Sequence, residues 1–332
     1  MDAAGVTTRT REIGWLVARR LAFAVPVVVV VAVGVFLLAA ASPFDPVYQY
    51  YGVDVFTATE ADLAATRARL GLDDGVFQQL GRWLSGVLTG DLGTSRSFRQ
   101  PVGRVIAERL PWTLLLVVVG LLVAVVLALV AGTVAAWRQG GAFDRVVTGI
   151  GHAMEGIPPF VLALVAIAVF SLGLGWLPVA GLTDAGAPAT FDQVARHLVL
   201  PALVLGVSQT PWLVLHVRGS LLGALGEDHV SGARARGLPE RTVVLRHALP
   251  TALLPFVTLL GTRIPELVTG AVLVETVFSW PGLAEAVVTA ALAVDFPMLA
   301  AISVLATAAV LLGSLLADVA VALADPRVTA DG

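Results

Sequence analysis

The stretch 226–250, GEDHVSGARARGLPERTVVLRHALP, is a charged island between strongly apolar segments, and the reading of the whole chain turns on it. Residues 227–236 suit a short helix with acidic residues in its first turn and arginines in its last, the arrangement that complements the helix dipole. Gly237 fits the left-handed position that closes such a helix, and Pro239 with Glu240 fits the first turn of the next. The second helix carries Arg241, Arg246 and His247 before Leu249-Pro250 leads into apolar sequence. The expected unit is a helix-turn-helix at a membrane surface. An ordinary loop made basic by membrane topology carries the same local signature.

Outside this island the composition leaves one solvent. Of 332 residues, 57% are hydrophobic and 14% charged, and the mean hydropathy is +0.88. A soluble domain cannot hide that much apolar surface, so the surroundings are lipid. Cysteine is absent, which excludes disulfides and thiolate metal sites. All 21 basic residues are arginines. A phosphate-binding loop of the GxxxxGK[ST] type needs its lysine, so any ATP that drives this chain must be hydrolysed by another subunit. The formal charge of −3 and the scatter of arginines among membrane flanks argue against nucleic acid as a partner.

Working outward, Arg9, Arg11, Arg19 and Arg20 precede an uncharged run at 21–41. A cleaved signal peptide with Ala39-Ala40-Ala41 as its site is the alternative. The run is longer than the ~7–15-residue core of such peptides, and more spans follow, so it is read as a first transmembrane helix. The segment 42–109 is polar and mixed, an expected extracytoplasmic region with short helices. Within it, Thr59-Glu60-Ala61-Asp62 resembles a capping box opening a short helix that stops at Gly71. Phe77, Leu80, Leu84, Val87 and Leu88 recur at helical spacing with Trp83 alongside, suiting a helix in the membrane interface or a small cap packed on its own apolar face. Further apolar runs at 110–137, 156–183, 198–222, 251–278 and 296–317 bring the expected spans to six. The expected membrane core is thus 110–323, with the charged loop 226–250 between spans 4 and 5, and 324–332 is a tail. No internal repeat or matched pair of broken helices suggests an inverted-repeat secondary transporter.

Arginine placement orients the chain. Arg138, Arg145, Arg234, Arg236, Arg241, Arg246 and Arg327 fall in short loops on the N-terminal side, and only Arg196 in those opposite. Both termini and the 226–250 loop are therefore expected in the cytoplasm. Arg99, Arg104 and Arg109 point the other way, but they sit in the long 42–109 segment, whose charges count for less. Tryptophans 15, 112, 137, 176 and 280 fall near expected span ends, as interfacial aromatics should.

Several blocks, in order, resemble the permease subunits of ATP-binding-cassette (ABC) importers, in the dipeptide, oligopeptide and nickel branch. They are ARRLAFAVPVVVVVAVGVF at 18–36, DP at 45–46, RARLGLD at 67–73, GDLGTS at 90–95, ERLPWTLLL at 108–116, ETVFSWPGL at 275–283 and ADPR at 324–327. The 226–250 loop resembles that family's "EAA" signature. Ala233, Gly237, Leu249 and Pro250 match it, Ser231 and Gly232 stand where its Glu-Ala would be, and His247 replaces an aliphatic residue. Glu227 and Asp228 supply carboxylates earlier in the loop, as the peptide branch often does.

The resemblance implies an all-α membrane protein in the cytoplasmic membrane of a prokaryote, one half of a translocation path. It implies four kinds of partner: a second homologous permease, two cytoplasmic ABC ATPases, an extracytoplasmic substrate-binding protein and the lipid bilayer. The loop is then a coupling helix docking on an ATPase, with Glu227, Asp228, Ala233, Gly237, Leu249 and Pro250 as its residues. The cargo implied is di- or oligopeptide, with nickel, sugar or another small solute as alternatives. A stand-alone secondary transporter or a purely structural subunit are the competing classes.

Two charges fall inside the fifth run. Arg263 and Glu266 are three residues apart with Pro265 between them, and each costs about 2.5–3.5 kcal/mol near the bilayer centre. They are candidates for the translocation path, with Pro265 loosening the helix; the alternative is a self-satisfied pair at helical spacing. In the family the corresponding positions are usually uncharged or small. Glu275, Trp280, Pro281 and Gly282 are candidate structural anchors of an outer gate. Histidines 152, 197, 216, 229 and 247 lie beside no ligand-spaced carboxylate pair, so no metal site is assigned and no cofactor is expected.

Overall fold

The computed structural model describes residues 3–43, 46–51 and 56–324. The ADPR block beyond Ala324 and Asp45 of the DP pair lie outside the described residues. Fourteen helices dominate those residues: α1 (Ala3–Ala40), α2 (Pro46–Tyr51), α3 (Glu60–Leu70), α4 (Val76–Leu88), α5 (Val102–Trp137), α6 (Ala142–Met154), α7 (Pro159–Ala166), α8 (Phe191–Leu225), α9 (Asp228–Ala235), α10 (Glu240–Thr242), α11 (Leu249–Thr262), α12 (Ile264–Val277), α13 (Leu283–Leu292) and α14 (Phe296–Ala324). Wider, i→i+5 coils extend α7 over Ile167–Gly173 and link α10 to α11 over Val243–Ala248. A two-rung antiparallel ladder joins β1 (Thr94–Ser95) to β2 (Gln100–Pro101).

Among the described residues, four helices are long and apolar enough to cross a bilayer: Ile13–Leu38 within α1, α5, α8, and Phe296–Val319 within α14. A fifth crossing is available if α6 and the α7 coil, bent by 109°, count as one. Two expected spans differ from simple rods. The run 156–183 holds only eight residues of α7 and seven of its wider coil before the chain turns irregular. At 1.5 Å per residue that is about 22 Å, short of the ~30 Å hydrocarbon core. The run 251–278 is two helices, α11 and α12, of 14 residues each, meeting at Arg263. Pro265 has no N–H for the carbonyl four residues back, and its ring crowds that turn, so the break falls just ahead of it.

The chain forms two compact units, one centred on Leu114–Trp280 and the other made of Arg19–Thr113 and Pro281–Leu311. In the first, α8 is the axis against which α6, α7, α11 and α12 pack. Lipid offers no hydrophobic drive between helices, so close approach depends on small residues. A Cβ added at Gly206 would meet Val123 at 2.6 Å and the Gly120 carbonyl at 2.8 Å, and one at Gly132 would meet Val217 and the Val214 carbonyl within 3 Å. These glycines let α5 lie directly on α8. Gly261 does the same for α11 on α14, where its Cβ would fall 2.1 Å from that of Ala317.

One ion pair ties α6 to α8. Arg218 donates through Nε and Nη2 to the two oxygens of Asp144, the second at 2.8 Å, and the Gly140 N–H adds a 2.8 Å bond to the same carboxylate. Asp144 is buried, while Arg218 keeps 24% of its side-chain surface. Seventy-four residues separate the partners.

The second unit packs Phe36 of α1, Leu80 and Trp83 of α4, Val105 of α5, Ala290 of α13 and Met298 of α14 into one core. The Phe36 and Trp83 rings lie 5.7 Å apart, and Trp83 Nε1 donates to the Leu92 carbonyl at 3.2 Å. The stripe expected on α4 is therefore divided: Leu80 and Trp83 are buried, whereas Phe77 and Leu88 are exposed. The Thr59 capping box forms as expected, and Gly71 closes α3 at φ +64°. Asp295, fully buried, accepts from Ser95 Oγ at 2.6 Å, Ser97 N at 2.9 Å and Ser97 Oγ at 3.0 Å. That carboxylate fixes the ladder region to the start of α14.

Removing one partner of a buried ion pair leaves the other uncompensated, a cost near the low end of the usual ~3–5 kcal/mol here because Arg218 is partly exposed. Asp144→Asn should lower the thermal unfolding midpoint of the purified protein, and Asp144→Leu combined with Arg218→Met should recover part of that loss. Gly206→Leu should reduce the yield of folded protein in the membrane, measured by fluorescence-detected size exclusion, because α5 must move off α8.

Candidate functional site

The 226–250 loop is a packed unit. Glu227 occupies the N-cap position of α9 in extended backbone, and Asp228 opens the first turn. Val230 and Ala233 are fully buried on the inner face of α9, packed in one cluster with Val243, Val244 and Ala248 of the wide coil, Leu221 and Ala224 of α8, Ala136 of α5 and Ala252 of α11. Leu249 packs at the edge of that cluster, and Pro250 follows it in the first turn of α11.

Gly237 takes φ +75°, the left-handed conformation expected for it, with its N–H on the Arg234 carbonyl at 2.9 Å. A Cβ there would meet nothing within 4 Å. Any side chain at 237 would thus strain the backbone and point into open space.

Arg234 clamps the turn. It donates to Glu240 through Nη2 at 2.8 Å and Nε at 3.3 Å, and to the Leu225 carbonyl at the end of α8 at 3.2 Å. Hydrogen bonding from Arg234 holds the Glu240 carboxyl below its ordinary range. His229 lies between Glu227, 3.1 Å from Nδ1, and the His247 carbonyl, 3.1 Å from Nε2. Together these contacts join α8, α9, α10 and the coil leading to α11.

A second locus is a cavity of about 620 Å³ in the same unit. Two interruptions of helix converge on it, the bend at 155–158 and the α11–α12 junction, and the continuous α8 lines it at Pro211. Arg263, Pro265 and Glu266 all line it. Arg263 pairs with Glu266 and lays its guanidinium over the Trp212 ring, 3.8 Å from the centroid. Trp212 is itself stacked against His216 at 3.7 Å. Glu155, Ser208, Gln209 and Thr269 add polar groups to the lining.

The gate candidates occupy a tightly turned segment. Glu275 and Trp280 are buried, and the Trp280 N–H bonds the Glu275 carbonyl at 2.9 Å. The chain passes from one unit to the other between Trp280 and Pro281. Gly282 caps α13, and its carbonyl accepts from Arg109 at 3.2 Å, which also reaches Glu285 at 2.7 Å. Trp280 therefore supports packing and faces no lipid, unlike Trp15, Trp137 and Trp176, which are exposed.

Residues 128–330 match the profile of the family described as binding-protein-dependent transport system inner membrane component, and residues 13–117 match that of its N-terminal region. The chain belongs to this family. It is similar to an oligopeptide transport system permease protein of Bacillus subtilis, 33% identical with 94% of this chain and 98% of that protein covered. It is also similar to a protein of Sinorhizobium fredii named "Probable peptide ABC transporter permease protein", 34% identical over 95% of this chain and 99% of that protein. As a member of this inner membrane component family, the chain is a multi-pass permease subunit of a transporter.

Sequence reasoning placed the two halves of the site separately and missed several of its members. Glu155, Trp212 and Gln209 carry no motif of their own. A carboxylate directly ahead of Gly-Ile-Pro-Pro, where a helix must break, was the available signal for Glu155. The Asp144–Arg218 pair left none, since its residues meet only once α6 folds onto α8.

The Arg234–Glu240 pair is exposed, 40% and 46% by side chain, so its contribution stays under about 1 kcal/mol. Because the Glu240 carboxyl is depressed in the folded chain, that contribution is present above the unfolded value near 4.3 and is lost as pH falls through the folded one. Glu240→Gln should leave the unfolding midpoint at pH 7 nearly unchanged and abolish this small acid-side dependence, checked by thermal melts from pH 3 to 7.

Proposed function

We propose that this chain is one half of the translocation path of an ATP-driven importer of di- or oligopeptides in the cytoplasmic membrane of a bacterium. The names carried by its relatives support the peptide cargo. In this reading the chain crosses the membrane six times. The extracytoplasmic segment is 42–109, the permease core is 110–323, and both termini and the 226–250 loop face the cytoplasm. The α7 coil and the α11–α12 pair supply the two crossings that are not continuous rods. A second similar permease completes the path, two cytoplasmic ABC ATPases supply the energy, and an extracytoplasmic binding protein delivers cargo.

The observation that carries the reading is the connection of the loop to the cavity. Both helices that leave the loop run straight to it. From Leu225 back to Trp212 along α8, and from Leu249 to the Arg263 junction along α11, the path is about 20 Å of continuous helix. The loop itself is fixed at both ends by buried side chains and by the Arg234 clamp. Force applied to α9 and its turn by an ATPase therefore reaches the cavity through two stiff elements. Glu227, Asp228, Ala233, Gly237, Leu249 and Pro250 hold or present the docking surface, Arg263, Pro265 and Glu266 line the path, and Glu275, Trp280, Pro281 and Gly282 brace the outer end.

Gly237 tests this directly. A side chain at φ +75° costs roughly 1 kcal/mol of strain, too little to unfold the protein, and here it would project outward. Gly237→Asp should leave the permease in the membrane at normal abundance while abolishing uptake of radiolabelled peptide. Normal uptake by the variant would remove the loop from the mechanism.

A further inference from the structure

The cavity at the helix interruptions holds three charges with unequal exposure. Arg263 retains 23% of its side-chain surface, held between the Trp212 face and Glu266. The carboxylates beside it are far more open, Glu266 at 57% and Glu155 at 44%. A pair that served only to neutralise itself would bury both members; here the cation is fixed on an aromatic platform and the anions face open space. Glu155 comes from a different element, the bend after α6, and lies within electrostatic range of the guanidinium. His152 stands 3.8 Å from the same carboxylate.

Arg263 has five N–H donors in a planar fork, and stacking on Trp212 leaves that plane's edges for acceptors. One edge is used by Glu266. A ligand carboxylate can take another, or displace Glu266, whose side chain is more than half exposed. The lining carries two carboxyl groups to one guanidinium, a balance that suits a ligand ammonium group. Gln209, Ser208 and Thr269 border the same space, and the volume of about 620 Å³ falls within the ~300–1,000 Å³ range of small-ligand sites.

We infer that this cavity is a charge-reading station for zwitterionic cargo, in which Arg263 takes a free carboxylate and Glu155 with Glu266 takes a free ammonium. The inference rests on the reading of the cavity as part of a peptide translocation path. It makes the permease itself, and not only the binding protein, selective for unblocked peptide ends. Trp212 is a positioning residue that holds the guanidinium plane.

The test uses the complete importer reconstituted in liposomes with its binding protein. ATP-driven uptake is measured for trialanine, N-acetyl-trialanine and trialanine amide, each at the concentration that half-saturates the binding protein. The wild type should move trialanine about tenfold faster than either blocked form. Glu155→Gln and Glu266→Gln should shrink the preference over the N-acetyl form, and Arg263→Gln the preference over the amide. Variants that scale all three rates by one factor, or leave all three unchanged, overturn the inference, as does a wild type that does not discriminate. Should Arg263→Gln fail to assemble, Glu155→Gln decides, since its side chain is largely open. Absence of wild-type uptake of all three peptides defeats the peptide reading itself, and the inference with it.

Discussion

In hydrocarbon a backbone N–H or C=O without a partner costs several kcal/mol, so a chain of this composition is free to break its helices only where protein or water meets the exposed groups. That constraint organises the unit around α8. Two of its helix breaks meet at one place. The bend at 155–158 and the α11–α12 junction both border one cavity, which α8 lines at Pro211. By contrast α5 and α8 run uninterrupted for 36 and 35 residues. The cavity and the broken helices are one feature, because each makes the other tolerable.

Holding such a cavity open requires that the surrounding helices be fixed by something other than apolar burial, which lipid matches equally well. Two devices do this. Glycines at 120, 132, 206 and 261 bring backbones into contact, where dispersion is strongest and a single methyl group would intrude. The Asp144–Arg218 pair adds a directional tie between α6 and α8, with both carboxylate oxygens engaged by the guanidinium. The broken α6–α7 element is thereby anchored on its long neighbour through Asp144, ten residues before α6 ends.

Much of the architecture was legible because its signals are local. Uninterrupted apolar runs gave α1, α5, α8 and α14; Thr59 with Asp62 gave the start of α3; Gly71 and Gly237 gave two left-handed helix ends, observed at φ +64° and +75°. The helix-turn-helix of the loop was readable from the same chemistry of caps and charges. What was not legible depends on tertiary meeting. Hydropathy marks 156–183 and 251–278 as apolar runs but does not show that the first turns irregular after Gly173 or that the second breaks at Arg263, just ahead of Pro265. Trp280 has the sequence position of an interfacial aromatic, but packing claims it for the interior. The cavity joins residues from three elements between Met154 and Leu273, a juxtaposition for which no spacing rule exists.

The arrangement also bears on why the loop is stiff. A displacement of a few ångströms at α9 is transmitted only if each joint between loop and cavity deforms less than that. The joints at α9 are built from small buried side chains, Ala233, Ala248 and Ala252, that leave no room for rocking, and from Arg234, which spans α8, the turn and α10 at once. The one wide coil in the route, Val243–Ala248, carries buried Val243, Val244 and Ala248 and is therefore backed by protein along its inner face. The far end is built differently: at the Arg263 junction α11 and α12 meet beside open space. In the proposed cycle, motion delivered along α8 and α11 would be expressed there, as a change in the angle between two helices and in the position of the charge that sits between them.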